Sequence, residues 1–468
     1  MTQTVSLDRT DLVKLSARLS GPLARLAAGL ALVVGMIGIA ATPAAAVPAF
    51  AAQTGQPCQT CHVGGLGPQL TPFGRDFKLH GYTMRSGSVS MPFSAMAIAS
   101  YLKTQKPAAD PAADYSANNN TALDQVSLFF AGGLGQHLGA FVQTTYDGIA
   151  KAWTWDNVDI RTTTTVQIMD DEVLLGASLN NSPTVQDVWN TLPAWGFPYT
   201  SSGLAPSPTA SPMLAGSLAQ TSLGVIGYAW INSTYYAEFG AYGSPGAHDL
   251  SHLGADPFAP GDIKGLAPYG RVAVQNHIGS GTLEVGAFGM TADIHPGRDR
   301  LTGQTDRFTD LGFDAAYQTV LENGDTLTAN GKYLHERQSL DATCALAAAL
   351  SGESCARNSL NDLRADVSYY WHNKIGASVQ AFKTTGTAND TVYADNRTGK
   401  PDSSGVTFQI DATPWGDGSS PLGARFNTRV GVQYTAYQTF NGVGHNYNNA
   451  GANASDNNTL RVFTWIAY

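Results

Sequence analysis

The sequence predicts an all-β chain, a 16-stranded antiparallel barrel of the outer-membrane kind, and three observations point there. From Met91 to the C-terminus, runs of about ten residues alternate apolar and polar side chains. Short turns alternate with long loops along the same stretch. Charged residues are only 13% of the chain, while Gly reaches 50 of 468 residues, against usual shares of about 25% and about 7%. A soluble protein so poor in charge has trouble staying dispersed. A barrel whose outer face meets lipid does not.

The clearest alternation sets Leu363, Ala365, Val367, Tyr369 and Trp371 on one face, with Arg364, Asp366, Ser368 and Tyr370 between them. A second sets Phe426, Thr428, Val430, Val432, Tyr434 and Ala436 against Arg425, Asn427, Arg429, Gln433 and Thr435. A third sets Ile375, Ala377, Val379 and Ala381 against Ser378 and Gln380. A soluble sandwich shares this period but rarely carries Arg and Asp so regularly on its inward face.

The predicted strands are 91–104, 124–135, 137–147, 156–167, 171–180, 221–231, 233–243, 266–277, 280–291, 308–321, 325–337, 360–372, 375–386, 404–414, 423–438 and 457–468. Asp170, Asn232-Ser233, Ile278-Gly279, Glu322-Asn323-Gly324 and Asn373-Lys374 read as tight turns, Asn-Gly being the strongest hairpin signal. The connections 105–123, 181–220, 244–265, 338–359 and 439–456 are long and rich in Gly, Pro, Asn and Ser. An even strand number leaves both termini on the periplasmic side. The last strand puts Leu460, Val462, Ile466 and the terminal Tyr468 on one face, an ending typical of outer-membrane chains.

Residues 1–46 read as a signal peptide. Arg18 and Arg25 precede an apolar run from Leu26 to Ala41, and Ala44-Ala45-Ala46 offers a small-residue cleavage site. The mature chain carries 23 basic against 34 acidic residues. That balance argues against nucleic acid, whose binding needs basic patches.

Export sets the reading of the four cysteines, because thiols outside the cytoplasm pair or are used. Cys344 and Cys355 are expected to bridge an exposed loop. Cys58-Gln59-Thr60-Cys61-His62 is a C-x-x-C-H motif, the signal for covalent attachment of one haem c. Two thiols spaced this way reach the porphyrin edge, and His62 supplies the proximal iron ligand. A zinc site lacks a second Cys/His pair nearby, and a redox dithiol lacks a βαβ frame. For the sixth iron position the downstream candidates are His80, Met84 and Met91, with His80 and Met84 the serious pair, and the sequence does not separate those two. Residues 47–90 form the monohaem cytochrome c segment. They are too few to cover a haem with a core of their own. The barrel, residues 91–468, is the expected cover, with the haem segment plugged in its lumen.

The stretch Phe50-Ala51-Ala52-Gln53-Thr54-Gly55-Gln56-Pro57 leading into the haem motif, then Phe73-Gly74-Arg75-Asp76-Phe77-Lys78-Leu79-His80-Gly81-Tyr82-Thr83-Met84, resembles the fused cytochrome–porins. Their best-known members are outer-membrane iron oxidases. Asn180-Asn181-Ser182-Pro183-Thr184-Val185-Gln186-Asp187-Val188-Trp189-Asn190, continuing to Pro193-Ala194-Trp195-Gly196-Phe197, also resembles this group. The resemblance implies electron transfer from an extracellular donor, Fe(II) by analogy, to a periplasmic c-type cytochrome or other acceptor. As an enzyme the protein would then be an iron oxidase-like electron-transfer oxidoreductase.

Two other functions fit the sequence. One is an outer-membrane solute porin whose haem segment is a sensor or gate. The other is a soluble periplasmic haem protein with an all-β domain. No catalytic triad, carboxylate pair or phosphate loop stands out. The haem reading predicts that Cys58→Ala or Cys61→Ala weakens or abolishes covalent haem, measured by peroxidase staining of denaturing gels. Unchanged staining in the double variant contradicts it. His62→Ala is expected to keep some covalent haem and lose the low-spin spectrum, since attachment and ligation use different atoms.

Overall fold

The structure, a computed structural model, describes residues 49–86, 92–351, 357–423 and 425–468. A wall in lipid must satisfy every backbone donor and acceptor within itself, and strands can do this only by closing into a ring. The chain does so with β1 (Phe93–Thr104), β2 (Asn120–Gly133), β3 (Leu138–Asp147), β4 (Ala152–Ile168), β5 (Asp171–Asn180), β6 (Leu223–Ile231), β7 (Tyr235–Gly243), β8 (Gly261–Ile263), β9 (Ala267–Ile278), β10 (Gly281–Pro296), β11 (Asp306–Val320), β12 (Thr326–Leu340), β13 (Asn358–Trp371), β14 (Ile375–Gly386), β15 (Ser403–Ala412), β16 (Asn427–Thr439) and β17 (Thr459–Ala467).

Sixteen of these are long, and each pairs antiparallel with its neighbours in sequence, β7 passing directly to β9. β1 pairs with both β2 and β17, which closes the barrel. Ala95 and Tyr468 exchange two backbone hydrogen bonds of 2.9 Å at the seam. Three-residue β8 pairs with the far end of β10, Ile294 facing Ile263.

All sixteen predicted strands are present within a few residues. β2 starts earlier than predicted, at Asn120, and β10 runs on to Pro296. Both extensions lie at the long-loop end, where a partner rather than an apolar pattern extends pairing: Asn120 meets Leu102, and Ile294 meets Asp306. The connections also hold structure that the alternation does not signal, namely β8 and two helices, Ala247–His252 and Asp341–Ser351. The second contains Cys344, which is disulfide-bonded, while Cys355 lies outside the described residues. The expected signal segment and Met91 lie outside them too.

Burial inverts the pattern of a soluble protein. On β13, Ser368 and Tyr370 are 0% exposed and face inward, whereas Leu363 and Trp371 are 49% and 51% exposed. On β16, Asn427 and Arg429 are buried while Val430, Val432 and Tyr434 face out. Val225, Phe239, Val272, Phe313, Phe408 and Ile410 continue the exposed apolar belt around the ring. Such a belt is compatible with lipid and not with water. Among the described residues no helix is long and apolar enough to cross a membrane.

Val272 sits in the middle of β9 on the outer face. Val272→Arg is expected to destabilise the barrel in lipid by roughly 2–4 kcal/mol if it sits near the bilayer midplane. The loss is read from a smaller heat-modifiable folded band in membranes and a lower denaturant midpoint.

Candidate functional site

The N-terminal residues 49–86 lie against the inward face of the barrel. They form three short helices, α1 (Ala49–Thr54), α2 (Cys58–Cys61) and α3 (Pro72–Leu79). Pro57 holds extended backbone at the start of α2, and His62 ends it by donating its backbone N–H to Cys58 O at 2.9 Å. Thr71 caps α3, its side chain accepting from Gly74 N at 3.2 Å, with Pro72 at the first helical position, where its missing N–H costs nothing. Gly74 is required by packing, because a Cβ there would collide with the carbonyl of Cys61. α3 can therefore lie directly on the Cys58–Cys61 turn.

Wall residues fasten this segment on many sides. Asn427 donates to Gly65 O at 2.6 Å, and Arg429 to Gly64 O at 3.1 Å. Gln59 N reaches Gly416 O at 3.0 Å. Across the lumen, Tyr82 donates to Asp159 at 2.6 Å, Arg161 to Lys78 O at 3.2 Å and Tyr228 to Leu79 O at 2.7 Å. Arg75 bonds Gln318, and Gly64 N bonds the Asn373 side chain. Asn373, Gly416 and the Gly133–Gly135 turn that receives Arg85 all belong to the short-turn end of the barrel. The segment therefore occupies that end.

The connection 181–222 fills the rest. It folds inward, not out into solvent as a surface loop would. Lys78 donates to Val185 O at 2.8 Å and Asn190 Oδ1 at 2.7 Å, and Asn190 donates in turn to Pro68 O at 2.7 Å. Burial beside Arg161 pulls the Lys78 ammonium down to about 7. Farther along, Leu214 N reaches Asp310 at 2.7 Å, and Arg461 donates to Thr200 O at 3.1 Å. The Asn180–Asn190 stretch is buried throughout, so this sequence block serves as packing against the N-terminal segment.

Between the segment, the wall of β1–β3 and the inward connection lies a cavity of about 490 Å³, within the usual range for cofactor sites. Cys58, Cys61 and His62 all line it. Aromatic side chains supply much of the remaining lining: Phe50, Phe77, Phe129, Phe141, Trp195 and Trp465. The two thiols are unbridged, and the buried Nδ1 of His62 has no hydrogen-bond partner. Burial, with Arg429 nearby, pulls the His62 imidazole down to about 4. It is then neutral at any physiological pH, the form with a lone pair for a metal. Two free thiols, a neutral imidazole and an apolar lining are the donor set and the surroundings that a haem c needs.

His80 and Met84 are placed differently. α3 ends at His80, and Gly81 and Tyr82 follow with φ of 64° and 61°, turning the chain away. His80 directs Nδ1 at Asp76, 3.1 Å from its carboxylate and 2.9 Å from its carbonyl oxygen, and its side chain is partly exposed. Met84 offers only its carbonyl, to Gln53 at 2.8 Å. Neither side chain lines the cavity, whereas Met96 of β1 does. Met96, Trp195, Tyr199 and Arg161 carry no local signal for the site, because their partners are remote in sequence. Inward register is the one available signal, and it puts Arg429 on the polar face.

No family model matches the chain, and no curated protein matches it. Among solved structures it is similar to OmpT of Vibrio cholerae, at 8% identity and a TM-score of 0.41, covering 82% of this chain and 99% of that one. It is similar to the outer-membrane channel DcaP of Acinetobacter baumannii at 10% identity and a TM-score of 0.45, covering 80% and 96%. The anion-selective porin from Comamonas acidovorans gives 14% identity and a TM-score of 0.42, covering 80% and 98%. The wall itself, sixteen long strands with short turns, long loops and an apolar belt, makes this protein an outer-membrane β-barrel of porin architecture. Its location is the outer membrane of a Gram-negative bacterium.

Arg429 pairs with Asp411 at 3.2 Å, both fully buried, and also holds Gly64. Arg429→Ala leaves that carboxylate unpaired and is expected to cost about 3–5 kcal/mol. Adding Asp411→Ala is expected to recover part of the loss. Denaturant midpoints, together with protease cleavage of the N-terminal segment, measure both effects.

Proposed function

We propose that this protein passes electrons across the outer membrane through one haem c, attached at Cys58 and Cys61 and ligated by His62. The observation that carries this reading is the meeting of both thiols and the imidazole on one apolar cavity inside the barrel. Such a group supplies a one-electron centre part-way across an apolar band about 25 Å tall. The chain supplies the rest. His62 presents a neutral imidazole, α1, α3 and Trp195 exclude water, and Asn427, Arg429, Arg161 and Tyr228 hold the segment at the short-turn end. In a barrel of this kind that end is periplasmic, so the site lies on the side of a soluble acceptor such as a c-type cytochrome. The donor approaches from the long-loop side. Resemblance to the fused cytochrome–porins favours Fe(II) as that donor.

A solute porin with a haem-containing gate is the second reading, and the sixteen-strand wall favours it, since walls of this size usually enclose an aqueous channel. Burial in the lumen speaks for the first. Inward charges in a channel meet water, yet Arg161, Arg429 and Arg461 are 0%, 1% and 2% exposed. The purified protein in detergent is expected to show a covalent haem spectrum that reduces on anaerobic addition of Fe(II). In planar bilayers it is expected to conduct little. High steady conductance with no response to Fe(II) would establish the porin reading instead.

A further inference from the structure

We propose that the barrel wall itself supplies the sixth iron ligand, through the thioether of Met96 on β1. This assignment rests on the haem reading above. His62 approaches the cavity from the N-terminal segment, and β1 of the wall borders the same space from another element. β1 turns Ser94, Met96 and Ile98 inward, and all three line the cavity that holds Cys58, Cys61 and His62. Met96 packs with Leu66, four residues beyond His62, against Trp465 and Ala467 of the neighbouring strand. It is held on that side of the site by the register of β1, where it faces Ala467 on β17 and Ser127 on β2.

Three other cavity-lining groups with a donor atom, Lys78, Tyr82 and Asp156, are already engaged. The Lys78 amine donates to Val185 O and Asn190, with the Trp195 ring 4.9 Å away. The Tyr82 hydroxyl is donated to Asp159. Asp156 accepts from Thr145 at 2.7 Å and from Gln220 at 3.1 Å. A thioether needs no hydrogen bond when buried, and Met has three rotatable bonds with which to reach a metal. Sulfur opposite a histidine raises the potential of a c-type iron, which suits a centre that must accept electrons from a weakly reducing donor. It would also make the segment and the barrel one redox unit, since neither holds both ligands.

The test uses full-length holoprotein in detergent and compares Met96→Leu, Met96→His, Met84→Ala and His80→Ala with the parent. Leu keeps the volume of Met without the donor, so folding is preserved, and the heat-modifiable band checks this. Expected results are a low-spin parent that resists carbon monoxide and a Met96→Leu variant shifted to high spin that binds it readily. Met96→His is expected to regain the low-spin spectrum at a lower potential, with Met84→Ala and His80→Ala like the parent. Covalent haem whose low-spin spectrum survives Met96→Leu unchanged overturns the ligand assignment alone. Absence of covalent haem from the parent overturns the haem reading and the assignment with it.

Discussion

Four inward-pointing arginines organise the interior. Each comes from a strand, is nearly or fully buried, and pairs with a carboxylate of the wall: Arg161 with Asp159, Arg271 with Glu284 and Asp314, Arg429 with Asp411, and Arg461 with Asp124. Each then reaches a second group on a segment that fills the lumen. Arg161 holds Lys78 O and Gln186 O, Arg271 holds Asp187, Arg429 holds Gly64 O, and Arg461 holds Thr200 O. A guanidinium has five donors in a fixed fork, so one side chain can serve wall and filling together.

Burying such charges is costly, and ion pairs in dry surroundings return little net stability. What they supply here is position. A displaced filling segment would leave a buried cation short of acceptors, so each arginine penalises every placement but one. Lipid outside offers no competing partner, and the closed wall leaves no edge by which the filling could slip out. The cavity beside Cys58, Cys61 and His62 is thus held by contacts made some distance from it. Cation–π contacts follow the same logic, Arg161 lying over Tyr82 and Tyr228, and Arg271 over Trp189.

Much of the wall is legible in sequence because its rule is local. Side chains alternate with period two, so Leu363–Trp371 and Phe426–Ala436 announce both strand and face without knowledge of any partner. Asn323-Gly324 and Asn232-Ser233 announce reversals by their tolerance of positive φ, and Asn232, Ser233 and Gly324 indeed adopt it. The rule weakens in the long connections. The helix at Asp341–Ser351 and β8 depend on contacts with β10 and β11, and the connection 181–222 reads as an ordinary polar loop although its first stretch, 181–190, is buried throughout.

The Cys58–His62 motif belongs to the same local category, since its chemistry is carried by spacing within five residues. Which other residues share its cavity is not local, and the downstream residues His80 and Met84 do not line that cavity for a reason visible only in three dimensions. The left-handed turn at Gly81 and Tyr82 redirects the chain, while closure of the ring brings β1 alongside β17 and places Met96 on the cavity that Cys58, Cys61 and His62 line. The sequence by itself determined the strands, their two faces, the turns and the spacing of Cys58, Cys61 and His62, because each is written within one or two turns of chain. The tertiary structure alone decided what fills the lumen and which residues surround the cavity. Those contacts span up to several hundred residues, and only closure of the barrel, with its buried charges needing partners, selects among them.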